Sequence, residues 1–361
     1  MKDGFIRVAA ATPDIHVADP QYNSEQIIEL MEQGSARGVK VMAFPELCLT
    51  AYTCSDLFLQ ESLLREAKKE LKRILQASKS KDMILFVGMP WMHKGKLYNV
   101  AAVLNRGRIL GIVPKKHLPN YSEFYELRIL IREWKSGDDR LGSVQVPMGM
   151  NLLFACRTMP ELVLAAELCE DVWVPCPPSI SHALAGATVI ANCSASDETT
   201  GKDQYRYNLI CGQSARLVCG YIYANAGEGE SSQDLVFGGQ NIIAENGTCL
   251  VQSDRFKNAC ICADLDLGRI ISERRRMTTF RDEENRSASY ETVYFELNTE
   301  DSAKKDSKKA GQKRDELLRY IDPAPFVPHD AGQRERRCEE ILSIQAMGLK
   351  SVWHIQTANM Q

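Results

Sequence analysis

Short apolar runs alternate with amphipathic stretches over residues 1–295 of the chain. Apolar runs of this length are typical of buried strands, whereas apolar positions at helical spacing indicate helices that cover them. The runs at 5–13, 39–47 and 83–90 predict strands, and the stretches at 24–38 and 61–80 predict helices. We expect Ser24 to cap the first of these helices.

The rest of this region continues the alternation and includes a hairpin. Two apolar runs meet around Asn105–Gly107 and predict a hairpin over 98–118. Further strands are predicted at 162–168, 187–194, 221–227, 240–253 and 259–267, with a helix at 205–219. Hairpins mixed with crossovers favour an α/β fold of two mixed sheets packed together, with helices outside.

The pattern changes near residue 296. Residues 296–330 are charged and then rich in proline, which predicts a linker. Beyond it, Cys338, Ile341, Leu342, Ala346 and Leu349 recur at helical spacing. We therefore divide the chain into a first domain (1–295), a linker (296–330) and a helical segment (331–361).

Charge and composition exclude several classes of function. The net charge is −3 and the basic residues are scattered, so no nucleic-acid surface is expected. No leader and no apolar run of 18 residues is present, which predicts a cytoplasmic protein without a membrane span. The twelve cysteines form no CxxC pair, so we expect reduced thiols and no metal site.

Three apolar runs end in a residue that can react: Glu46, Lys115 and Cys169. A thiolate can attack an amide carbon, a carboxylate can move the protons, and an ammonium can stabilise the oxyanion. Cys169 stands among the acids Glu167, Glu170 and Asp171, which should raise its pKa, and Lys115 supplies the cation that offsets them. Two alternatives are an inert buried thiol at 169 and a Cys–His mechanism that uses His117.

Several longer blocks carry a family resemblance. "FPELCLTAYTCSDLF", "VPKKHLPNYSEFYE", "ELCEDVWVP", "NCSASDETTGK" and "YANAGEGESSQDLVFGGQNIIAENG" resemble the nitrilase (carbon–nitrogen hydrolase) superfamily, and within it the glutaminase domain of glutamine-dependent NAD synthetases. The resemblance runs from about residue 4 to residue 349. It implies a nitrilase-like four-layer α-β-β-α sandwich for the glutaminase domain (1–295) and a truncated start of the synthetase domain at 331–361.

The resemblance implies a role for each matching residue. Glu46 corresponds to the general base, Lys115 to the oxyanion lysine and Cys169 to the nucleophile. Ala51 stands where relatives commonly have glycine in "LTGYT", and Lys202 stands where many have arginine. The implied glutamine pocket consists of Tyr52, Tyr121, Phe124, Glu170, Ser196 and Lys202.

The implied reaction is release of ammonia from glutamine through a thioester on Cys169, without a cofactor. ATP and magnesium are expected only for the synthetase domain, whose "SGGxDS" loop does not occur in this sequence. We therefore expect full amidation of nicotinic acid adenine dinucleotide to lie beyond this chain, whether a frameshift, a truncated gene model or a shortened gene is the cause. A homo-oligomer and a synthetase-domain partner are the expected assemblies.

Two rival functions stay open at this stage. One is a stand-alone amidase of the same superfamily that acts on another small amide. The other is a non-catalytic module that supplies an oligomeric platform, although the presence of Glu46, Lys115 and Cys169 argues against it.

Overall fold

The computed structural model describes residues 4–131, 137–231, 235–280, 289–298, 316–328 and 330–358. The chain divides into two compact units, Met1–Leu318 and Arg319–Gln361. In the predicted linker, residues 299–315 and His329 lie outside the described residues. Between them, the Leu318 N–H donates to the Asp264 carboxylate at 2.7 Å.

The strands of the first unit are β1 (Phe5–Ala11), β2 (Val41–Ala43), β3 (Ile84–His93), β4 (Lys96–Asn105), β5 (Arg108–Pro114), β6 (Gly137–Leu141), β7 (Val144–Met148), β8 (Leu152–Cys156), β9 (Val163–Leu168), β10 (Val189–Ser194), β11 (Gly220–Asn225), β12 (Ile242–Glu245), β13 (Thr248–Gln252), β14 (Cys260–Asp266) and β15 (Glu291–Phe295). They form an eight-stranded sheet, ordered β14-β1-β2-β3-β4-β5-β7-β6, and a seven-stranded sheet, ordered β13-β12-β11-β10-β9-β8-β15. Parallel and antiparallel pairs occur in both sheets.

The helices are α1 (Pro20–Ala36), α2 (Glu61–Ser78), α3 (Pro178–Leu184), α4 (Lys202–Leu217), α5 (Leu267–Arg276) and, in the second unit, α6 (Ala331–Ala358). Shorter 3-10 segments span Tyr52–Leu59, Glu126–Arg128 and Cys169–Val172. No helix among the described residues is both long and apolar enough to cross a membrane.

Each sheet has one face against the other sheet and one face against helices. In β3, Ile84 and Phe86 pack into the core between the sheets, whereas Leu85 and Val87 pack toward α1 and α2. Side chains alternate between faces along a strand, so both faces of β3 are apolar. The α3 and α4 helices cover the seven-stranded sheet in the same way. The predicted four-layer α-β-β-α sandwich of two mixed sheets is confirmed.

Two local predictions were wrong. Helix α1 begins at Pro20, where the Asp19 carboxylate accepts the Tyr22 N–H at 3.1 Å; Ser24 is buried inside the helix and donates to Glu70 at 2.6 Å. The single strand predicted at 240–253 is a hairpin of β12 and β13. Its turn residues Asn246 and Gly247 have φ of 44° and 86°, as an Asn-Gly type I′ turn requires.

The predicted elements also omit the strands β6, β7, β8 and β15 and the helices α3 and α5.

Candidate active site

Glu46, Lys115 and Cys169 all follow the carboxyl ends of strands. Glu46 lies three residues after β2 and Lys115 directly after β5, both in the eight-stranded sheet. Cys169 comes directly after β9 of the seven-stranded sheet. The three side chains therefore meet at one edge of the sandwich because the two sheets pack face to face.

Glu46 is fully buried and hydrogen-bonded through both carboxylate oxygens. Its Oε1 accepts from Lys115 Nζ at 2.6 Å and from Asn99 Nδ2 at 2.5 Å, and its Oε2 accepts from the Ala195 N–H at 3.0 Å. Ala195 follows β10 of the other sheet, so the carboxylate is held from both sheets. Such a carboxylate has little freedom to rotate, which suits a group that must move a proton along one path.

Gly88 in β3 makes this position possible. A Cβ at residue 88 would lie 2.2 Å from the Pro45 carbonyl oxygen and 2.7 Å from the Glu46 Cα. The chain that carries Glu46 crosses β3 too closely for any side chain there. A glycine inside an apolar strand is the sequence signal for such a close approach.

Cys169 opens a 3-10 turn in a left-handed conformation, with φ of 40°. A residue with a Cβ is uncommon there and is held only when its surroundings enforce it. The Cys169 N–H donates to Asn192 Oδ1 at 3.1 Å, and Asn192 also accepts from the Ser194 hydroxyl at 2.7 Å. This N–H is therefore engaged within the protein, and Lys115 is the oxyanion donor that the sequence predicts.

The acids beside Cys169 in the sequence have hydrogen-bond partners of their own. Glu167 accepts from the Ser179 N–H and the Tyr221 hydroxyl, Glu170 from Tyr121, and Asp171 from backbone N–H groups.

Burial raises the pKa of the Cys169 thiol well above its usual value; Glu46 raises it further, and Lys115 acts in the opposite direction. A thiol with so high a pKa is protonated at rest and needs a base for attack.

Glu126 was missed by the predictions and lies beside the triad. Its Oε1 accepts from Lys115 Nζ at 2.6 Å and from the Tyr52 hydroxyl at 2.9 Å. Burial raises the pKa of Glu126 to about 7 and Glu46 adds to this, while Lys115 opposes it. Burial alone would lower the pKa of Lys115, but the carboxylates of Glu126 and Glu46 raise it well above its usual value. The only sequence signal was that the block "VPKKHLPNYSEFYE" ends at Glu126.

The predicted pocket residues form a connected wall. Tyr121 donates to Glu170 at 2.9 Å and contacts the Phe124 ring edge-to-face at 5.9 Å. The Lys202 ammonium lies 5.8 Å from the centre of the Phe124 ring and pairs with Asp197.

The remaining two members have less direct links. Tyr52 packs in the same apolar cluster as Phe124. Ser196 is buried, and its backbone N–H donates to Asn225 at 2.8 Å. These contacts link Tyr52, Tyr121, Phe124, Glu170 and Lys202, and the roles of all six residues stay predictions.

The segment that carries Tyr52 is strained. Ala51 has φ of 81° and ψ of 150°, a combination that is essentially restricted to glycine. Glu230 holds the segment by accepting the N–H groups of Tyr52 at 2.8 Å and Thr53 at 3.0 Å. Tyr52 also lines, together with Glu126, a cavity of about 330 Å³.

His117 lies beside Asp171 rather than in the triad's hydrogen-bond set. Its Nδ1 is 4.0 Å from Asp171 Oδ1, whereas the charged groups that act most strongly on the Cys169 thiol are Glu46, Lys115 and Glu126. That Glu46 rather than His117 is the base stays a prediction. In the described part of the chain, no cluster of three or more His, Cys, Asp or Glu side chains could hold a metal ion.

Comparison with known proteins gives a family match and several relatives. Residues 7–275 match the carbon-nitrogen hydrolase family. The chain is similar to the glutamine-dependent NAD(+) synthetase of Mycobacterium tuberculosis, with 39% identity over 354 residues, which cover 96% of this chain and 50% of that protein. The chain thus spans about half the length of the curated relatives it matches.

Two solved structures are similar in fold. A glutamine-dependent NAD(+) synthetase from Cytophaga hutchinsonii matches with a TM-score of 0.65 and 29% identity, over 72% of this chain and 43% of that one. An amidase of the nitrilase superfamily from Nesterenkonia matches with a TM-score of 0.57 and 19% identity, over 75% of this chain and 94% of that one. At that identity the amidase supports the fold alone.

Proposed function

The chain belongs to the carbon-nitrogen hydrolase family, and on that premise we propose that it hydrolyses glutamine to glutamate and ammonia. The observation that carries the proposal is the buried Glu46–Lys115 ion pair beside the left-handed Cys169 turn, at the edge where both sheets end. The similarity to glutamine-dependent NAD(+) synthetases supports glutamine as the amide.

In the first half-reaction, Glu46 takes the proton of the Cys169 thiol as the sulfur attacks the amide carbon. Lys115 gives two N–H groups to Glu46 and Glu126, and we assign its third to the developing oxyanion. The carbon–nitrogen bond then breaks, Glu46 returns the proton to the leaving ammonia, and a thioester remains. No cofactor enters this step.

In the second half-reaction, Glu46 takes a proton from water as the water oxygen attacks the thioester. The carbon–sulfur bond breaks, glutamate leaves, and the proton returns to the Cys169 sulfur. Glu170, which lies beside the nucleophile, would face the ammonium group of the substrate, and Lys202 its carboxylate. Transfer of the ammonia to a synthetase-domain partner and assembly into a homo-oligomer belong to the same proposal.

Ammonia release from glutamine by the purified chain tests this function. Cys169→Ala should lower turnover at least ~10³-fold, because the covalent route is lost. Cys176→Ala is the matched control, since Cys176 is an exposed thiol near the same turn. A Cys169→Ala variant that keeps its activity would exclude the proposal, and faster hydrolysis of other small amides would favour the stand-alone amidase.

A second assay addresses the full amidation. The purified chain, given nicotinic acid adenine dinucleotide, ATP, magnesium and ammonia, should form no NAD. Formation of NAD would contradict the prediction that the second reaction lies beyond this chain.

A further inference from the structure

Asp171 has no role in the mechanism described above, although it lies two residues after the nucleophile. Its side chain is buried, and its carboxylate accepts three backbone N–H groups. These come from Leu168 at 3.1 Å, from Lys116 at 3.3 Å and from His117 at 2.8 Å. A carboxylate with this set of donors is held in one orientation by its own turn and by a segment more than fifty residues away in sequence.

The donors belong to different sheets. Leu168 ends β9 of the seven-stranded sheet and precedes Cys169, whereas Lys116 and His117 follow β5 of the eight-stranded sheet and come directly after Lys115. Hydrogen bonds to a charged acceptor are stronger than neutral ones, and the carboxylate can accept from several directions. One side chain therefore joins the two chain segments that carry the cation and the nucleophile.

We propose that Asp171 is a positioning residue that fixes Lys115 against Cys169 across the interface between the sheets. This inference rests on the proposed function for its catalytic consequence, but the placement of Lys115 is also measurable without glutamine. A purely local role, in which Asp171 stabilises only its own turn through Leu168, is the alternative.

The chemistry of Cys169 separates these roles. Removal of a nearby negative charge would by itself make the thiol easier to ionise and so speed its alkylation. Displacement of the Lys115 ammonium acts in the opposite direction, because Lys115 favours the thiolate. Alkylation by iodoacetamide requires no oxyanion, so its rate reports the surroundings of the thiol directly.

The test compares wild type with Asp171→Asn in both readouts. Burial, followed by the charge of Glu167, raises the pKa of Asp171 to about 7, so the assays are run at about pH 8, where the carboxylate is ionised. We expect kcat for glutamine to fall ~10–100-fold with little change in KM, and alkylation of Cys169 to slow ~3–10-fold. In a Lys115→Ala background, Asp171→Asn should cause no further loss of kcat and no further slowing of alkylation, because both losses act through Lys115.

Glu167→Gln is the matched control. Glu167 is also a buried carboxylate beside the same turn, but its hydrogen-bond partners Ser179 and Tyr221 lie outside the Lys115 segment. We expect both rates to stay within about threefold of wild type. Asp171→Glu keeps the charge and displaces it by one methylene, so it provides the test if Asp171→Asn does not fold.

Several outcomes would overturn the inference: faster or unchanged alkylation in Asp171→Asn, an equal loss in the Lys115→Ala background, or an equal loss in Glu167→Gln. If wild type releases no ammonia from glutamine, the proposed function fails and the alkylation rates alone decide the role of Asp171.

Discussion

The candidate site has two regions that differ in burial. We call Glu46, Lys115 and Cys169 the reactive corner, and the six predicted pocket residues the recognition wall. In the corner, Glu46, Lys115 and Cys169 are at most 5% exposed, and both carboxylate oxygens of Glu46 are hydrogen-bonded. In the wall, Tyr121 is 55% exposed, and its partner Glu170 is partly exposed. Buried groups with a full set of partners keep a fixed geometry, whereas an exposed pair can exchange its partner for a ligand. The corner should therefore control kcat and the wall KM.

The largest effect should come from the corner cation. Lys115→Ala should lower kcat about 10²–10³-fold, because the oxyanion loses a donor. It also leaves the carboxylates of Glu46 and Glu126 buried without their shared cation. Lys116→Ala is the control, since Lys116 is exposed, and it should stay within about twofold in an ammonia-release assay. Equal losses in both variants would contradict the assignment of Lys115.

Glu126→Gln keeps the shape of the side chain but removes its ability to ionise, so it tests the charge of this carboxylate alone. Because burial raises the pKa of Glu126 from 4.5 to about 7, its contribution to stability is fully present below pH 4.5 and is lost as pH rises through about 7.

Glutamine at position 126 cannot titrate, so the variant should lack this fall. The difference in unfolding free energy between variant and wild type should change by roughly 1–3 kcal/mol in favour of the variant over that window. Denaturant titrations at several pH values would measure it, and parallel pH curves would contradict the shift. We expect kcat to fall about tenfold, since Lys115 loses a charged partner.

A smaller effect should come from the recognition wall. Tyr121→Phe removes the hydroxyl that donates to Glu170 and should raise KM for glutamine about 3–10-fold, with kcat within about twofold. Tyr125→Phe is the control, because Tyr125 is also exposed and lies outside the predicted pocket. Steady-state kinetics would show the split, and a change in kcat alone would remove the distinction between corner and wall.

The smallest effect on activity should come from the strained segment that carries Tyr52. Ala51→Gly should raise the unfolding free energy by about 1 kcal/mol, because glycine tolerates the backbone conformation of residue 51.

The control variant should change the unfolding free energy in the opposite direction. Ala43→Gly in β2 should lower stability by about 1–2 kcal/mol, because glycine adds freedom to the unfolded chain and the buried Ala43 methyl group is lost. Thermal unfolding of both variants measures the pair, and a destabilised Ala51→Gly would show that residue 51 is unstrained.

The comparison also separates what could be predicted locally from what could not. The strands before Glu46, Lys115 and Cys169 can be predicted because a short apolar run within one segment is enough to indicate a buried strand. The same reasoning placed the reactive residues at strand ends. The predicted cap at Ser24 is wrong because Ser24 lies inside the helix and donates to Glu70 of another helix. The predicted single strand at 240–253 is wrong because Asn246 and Gly247 form the turn of the β12–β13 hairpin.

Sequence alone determined the layered α/β fold, the strand ends and, through family resemblance, the candidate triad. Tertiary structure decided the partners: Glu126 accepts from Lys115, Glu167 from Ser179 and Asp171 from Leu168. The physical reason is that burial depends on neighbours along one segment, whereas contacts between strand ends depend on distant segments. Alternation along a strand fixes which side chains are buried, but the distance between strand ends of two sheets depends on how those sheets pack, and no single segment contains that information.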